Sequence, residues 1–145
     1  MTDKAPRLTD RSDAVFDELH HQIKRGDLVS VRQALDAGTS PNTKNRFGWT
    51  LLMLAAIEGN TAIGEMLIAH GAQVNQITSM GPGQSALSLA IVSGHARFLK
   101  LLLEHGANPD VGGNVDAWLP TCRLPPKMEA EILEVLKRFR TQRPV

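Results

Sequence analysis

The chain has 145 residues and a mass of 15.8 kDa, with 42% hydrophobic and 21% charged residues, which bounds it to about one globular domain. Sixteen Lys and Arg against fifteen Asp and Glu leave a formal net charge of +1, so no global field of one sign steers it to nucleic acid or a membrane surface. The single cysteine, Cys122, excludes an internal disulfide and fits a reducing, cytoplasmic setting, and no apolar run is long enough to span a bilayer.

In chain order, residues 1–10 are expected to be a disordered arm. The opening MTDKAPRLTDRSD carries six charges and no apolar run, so it does not read as a secretory leader. Ala14 to Arg25 predicts a helix with Phe16, Leu19 and Ile23 turned inward. From there the chain repeats. Gly26, Gly59 and Gly94 are spaced by 33 and 35 residues; Gly38, Gly71 and Gly106, and Asn42, Asn75 and Asp110, take the same two steps. The two extra residues fall in the segment QITSMGPG between Asn75 and Ser85.

Each full unit predicts two helices. The first starts at a hydroxyl N-cap, Thr50 or Ser85, and stops at Gly59 or Gly94. The second buries Ile63, Met66 and Leu67 in one copy and Phe98, Leu101 and Leu102 in the next, and stops at Gly71 or Gly106. Gly64, inside such a helix, costs about 1 kcal/mol relative to alanine on propensity. Near the end, Pro125 and Pro126 precede a helix whose predicted apolar stripe is Met128, Ile132, Leu133, Leu136 and Phe139. Its acidic residues come early and its basic ones late, as the helix dipole favours. Residues 141–145 are expected to be a frayed tail.

These residues resemble the ankyrin repeat. The matching positions are Gly48, Thr50, Leu52, Leu54, Ala55, Ala56, Gly59, Gly71, Ala72, Val74 and Asn75. In the next copy they are Gly83, Ser85, Leu87, Leu89, Ala90, Gly94, His95, Gly106, Ala107 and Asn108. Two family positions differ. The proline is Leu51 and Ala86, and the histidine after it is Met53 and Ser88. The resemblance implies an all-α solenoid of helix–turn–helix units with short β-hairpin-like loops, about four repeats including degenerate caps. We expect one domain over residues 11–140, with repeats near 14–45, 46–78 and 79–113 and a degenerate C-terminal cap at 114–140.

Motifs for other chemistry are weak. Gly81-Pro82-Gly83-Gln84-Ser85-Ala86 fits G-x-G-x-x-A, but the polar QVNQITSM before it is no buried strand, so it reads as an enlarged hairpin tip. His70 and His105 fill one slot in successive repeats and lack the further ligands a zinc site needs. Nothing in the sequence activates Cys122 as a nucleophile. No cofactor, metal or catalytic residue is expected.

The resemblance implies binding to another protein through the hairpin tips and the inner faces of the first helices. Carried over by position, the contacting residues are Arg46, Phe47, Trp49, Ile57 and Glu58, then Met80, Gln84, Val92 and Ser93, with Lys24 and Arg25 as front-cap equivalents. Trp118 is a candidate extension of this strip. Phe47 and Trp49 flank Gly48 outside both helical stripes, so they read as exposed interaction anchors. The expected role is a monomeric adaptor, inhibitor or regulatory subunit without enzymatic activity. Two alternatives stay open: an immunity-type protein that neutralises a toxic enzyme, and a weak nucleic-acid or phosphate binder using Lys137, Arg138, Arg140 and Arg143.

Overall fold

The computed structural model describes residues 8–79, 83–109 and 119–142. Seven α-helices and one 3₁₀ turn are present among them: α1 (Leu8–Lys24), α2 (Leu28–Asp36), α3 (Leu51–Glu58), α4 (Thr61–Ala69), α5 (Ala86–Val92), α6 (Ala96–Glu104), the 3₁₀ turn Leu119–Cys122 and α7 (Pro126–Gln142). Helices α1, α3 and α5 form an inner row, α3 packing on both others; α2, α4, α6 and α7 continue as an outer row. The 3₁₀ turn leans on α5 and takes the inner place of the fourth unit. The chain is thus the expected all-α stack, with hairpin-like loops closed by isolated bridges Lys44–Thr50 and Ile77–Ser85.

The starts of α2, α3, α4 and α5 are held by side-chain caps. Thr50 Oγ1 accepts the Met53 N–H at 3.3 Å, and Ser85 Oγ accepts the Ser88 N–H at 3.2 Å. Met53 and Ser88, which stand where the family carries histidine, return the contact: Met53 Sδ takes the Thr50 N–H at 3.4 Å and Ser88 Oγ the Ser85 N–H at 2.9 Å. Each substitute closes a capping box within its own helix. The turn after α3 places Gly59 at φ +69°, and a Cβ there would lie 2.5 Å from the His95 ring. That ring bridges repeats by donating from Nε2 to the Ile57 carbonyl at 3.0 Å.

The core is aliphatic and runs along the whole stack. Phe16, Leu19 and Ile23 are buried in α1 as expected, and Phe98, Leu99, Leu102 and Leu103 in α6. The stripe of α7 differs from expectation. Ile132 and Leu136 are buried and Val135 and Phe139 half-buried against the core, whereas Met128 and Leu133 are 41% and 42% exposed. Leu133 lies about 100° around the helix from Ile132 and so turns to solvent. Met128, in the first turn, rests on Gly94 at the surface. The terminal boundaries also shift: α1 begins at Leu8, inside the expected arm, and α7 runs to Gln142, inside the expected tail.

Candidate functional site

The first hairpin is organised by Asn45. Its Oδ1 accepts the N–H groups of Phe47 and Trp49, each at 3.0 Å, and its carbonyl accepts the Gly48 N–H at 3.0 Å. Gly48 is buried at φ +81°, with Ser79 and Thr78 so close that a Cβ would lie 2.7 Å from Ser79 N. The Ser79 N–H donates to the Phe47 carbonyl at 3.0 Å, so neighbouring hairpins are tied into a row. On the other side Arg46 meets α1: its Nε and backbone N–H donate to the Asp13 carboxylate at 3.2 and 3.0 Å. The Arg46 guanidinium also sits 5.8 Å from the Phe47 ring centroid.

This bracing leaves a groove of about 340 Å³ between α1, the first hairpin and α3. Phe16, Asp17 and His20 line it from α1, Asn45, Phe47 and Trp49 from the hairpin, and Leu54 and Ile57 from α3. The structure therefore brings together Phe47, Trp49 and Ile57 of the expected strip. Phe47 is 45% exposed, but Trp49 is not the exposed anchor expected: it is half-buried and packs on the core, as does Ile57. Trp49 lines the groove together with residues of α1 and α3 and also packs on the core. Arg46 is exposed but held by Asp13.

Further along the inner face, Glu58, Gln84 and Val92 are exposed and Ser93 is half-buried. Lys24 and Arg25 are exposed at the end of α1. Met80 and Trp118 lie outside the described residues, as do Gly81 and Pro82 of the G-x-G-x-x-A segment. The rest of that segment, Gly83 to Ala86, forms a hairpin arm and helix start, where Thr78 Oγ1 accepts the Gln84 N–H at 3.0 Å. Sequence reasoning missed Phe16, Asp17, His20 and Leu54 as groove residues, and Asp13 as the partner of Arg46. One signal was present: Asp13 and Arg46 are opposite charges 33 residues apart, one repeat period.

Other concavities are less distinctive. A groove of about 330 Å³ on the outer face between α6 and α7 is lined by Lys100, Leu103, Glu104, Val135, Arg138 and Phe139, charges of both signs over an apolar floor. In the basic C-terminal cluster, Arg138 pairs with Glu134 at 2.8 Å. Burial pushes the Cys122 thiol up, and Glu129 adds to this, the reverse of thiolate activation. His20 and His21 have ring centroids 6.0 Å apart, and no cluster of metal-ligating side chains occurs among the described residues. Nor is any helix there long and apolar enough to cross a membrane.

A stack of paired helices whose successive turns are tied to one another defines a helical repeat solenoid. Residues 19–112 match the family model described as ankyrin repeats, in three copies, and the chain belongs to the ankyrin-repeat family. Ankyrin repeats are protein-interaction modules. Among similar proteins, the inactive serine/threonine-protein kinase TEX14 of Bos taurus is 30% identical over 112 residues, 74% of this chain and 7% of that protein. The ankyrin repeat, SAM and basic leucine zipper domain-containing protein 1 of Notamacropus eugenii is 29% identical over 117 residues, 77% of this chain and 23% of its own length. Cyclin-dependent kinase 4 inhibitor B of Rattus norvegicus is 35% identical over 97 residues, 65% of this chain and 68% of that protein. The chain spans less than a third of the length of the first two.

Proposed function

We propose that the chain docks a protein partner on its inner face and acts by occluding or tethering it, as an inhibitor, adaptor or regulatory subunit. The observation that carries this reading is the groove of about 340 Å³ between α1, the first hairpin and α3, continued along the inner row by exposed Val92. Apolar and aromatic surface beside exposed charge is the composition of an interface centre and rim. An inhibitory mode is supported by a relative of comparable extent whose name is that of a kinase inhibitor. The chain's identity to it is that of a shared repeat, so the partner's identity is a separate question.

The test compares two surfaces. The full chain, a Phe47→Asp/Val92→Asp variant of the inner face and a Val29→Asp variant of outer helix α2 are used as baits, each checked by circular dichroism. Val29 is 65% exposed, so its substitution leaves the core intact. A protein recovered by wild type and by Val29→Asp but lost by the inner-face variant is the expected result. Recovery that survives the inner-face change and fails with Val29→Asp would move docking to the outer row.

A further inference from the structure

We propose, building on the reading that the inner face docks a protein, that the front groove takes the side chain of a lysine or arginine projected by that partner. The groove's charge decides its guest. Arg46, the cation at its edge, is already matched by Asp13 at 3.2 Å. Asp17 has no cation within ion-pair distance among the described residues, so the groove carries one uncompensated carboxylate. Asn45 does not substitute for a guest's partner, since its Oδ1 already accepts two backbone N–H groups.

The remaining walls suit an alkyl stem ending in a cation. Such side chains lay their methylenes on apolar surface and keep the charged head at the rim, here against Trp49 and Ile57 with the head at Asp17. The chain places a guanidinium of its own 5.8 Å from the Phe47 ring, so these aromatic faces are compatible with a cation. An acidic guest meets the Asp17 charge directly. A wholly apolar guest leaves the exposed Asp17 charge without a partner and gains nothing from it.

Four blocked tripeptides, Ac-Ala-X-Ala-amide with X as arginine, lysine, leucine or glutamate, are titrated into the ¹⁵N-labelled full chain while the Trp49 indole and the Asp17 and His20 amides are followed. The arginine and lysine peptides are expected to give saturable shifts at these groups, with leucine and glutamate about fivefold weaker, the upper end for one exposed ion pair. Asp17→Asn weakens the arginine peptide by about fivefold and Asp17→Glu retains it. Equal binding of the leucine peptide, an unchanged affinity in Asp17→Asn, or no saturable shift in the groove up to peptide solubility overturns the proposal. The docking reading is judged separately, by the Phe47→Asp/Val92→Asp comparison, and survives any of these results.

Discussion

Gly64 sits in the interior of α4, where propensity alone favours alanine by about 1 kcal/mol. The packing reverses that preference. A Cβ at residue 64 would lie 2.6 and 2.8 Å from two ring carbons of Phe98 and 3.1 Å from Leu101 Cδ2, and both neighbours are buried in α6. Overfilling such a contact costs about 1–3 kcal/mol. Gly64→Ala is therefore expected to lower the unfolding free energy in urea by about 1–2 kcal/mol, and Phe98→Leu in the same chain to return part of it. A gain in stability on Gly64→Ala would show that α4 and α6 separate freely. His70 makes a different kind of contact between repeats, with Nδ1 2.8 Å from the Met66 carbonyl and Nε2 3.2 Å from the Asp36 carboxylate. Both acceptors call for an N–H, so the Met66 carbonyl first, and Asp36 next, raise the His70 pKa above 6.5. The folded state then binds the proton more tightly than the unfolded one. Its stabilisation is complete below the unfolded value, about 6.5, and fades as pH rises through the higher folded value. Asp36→Asn should lower the His70 pKa, followed by NMR, only part of the way, because the Met66 contact remains, and should reduce the slope of stability across neutral pH.

Between elements, the contacts recur at one repeat period. Asn42 Nδ2 donates to the Gly71 carbonyl at 3.2 Å while its Oδ1 accepts the Gln73 N–H at 2.8 Å; Asn75 makes the same pair with Gly106 and Asn108, at the same distances. These asparagines lock the turn of one repeat onto the next. Asn75→Ala should cost about 0.5–1.5 kcal/mol, at the low end because the freed groups face water, and a urea melt of the variant measures it. The shared intervals of Asn42 and Asn75 are what made the repeat legible in sequence, along with the capping residues Thr50 and Ser85 and the small residues Ala55, Ala56 and Ala90 that let inner helices approach. The site was less legible. Local periodicity says which face of a helix is buried, but not which side chains from two repeats meet at its edge. Asp13 with Arg46, and Trp49 half-buried against the core at the groove, are products of stacking. On α7 the expected stripe was too wide: packing mainly against α6 buries Ile132 and Leu136 and leaves Leu133 in water.

Among the described residues the main contacts between elements run between neighbouring units, so stability is passed along the stack rather than pooled. Helix α3 is gripped by α1, α5 and its own partner α4, whereas α7 rests on α6 at one end. The candidate groove lies at the other end, built from α1, the first hairpin and α3. Leu136 is 2% exposed, and Leu136→Ala should cost about 2–5 kcal/mol through the cavity it leaves. The loss is expected to be graded. In native-state hydrogen exchange α7 and α6 should lose protection most, α5 less, and α1 to α3 least, because opening the cap exposes one interface at a time. Trp49 should keep its environment under conditions where α7 is already open. Equal loss of protection in α1 and α6 would instead make the stack one cooperative unit, in which damage to the cap reaches the groove directly. The graded result would mean that a partner gripping the front repeats stabilises α1 to α3 and leaves α7 free to open.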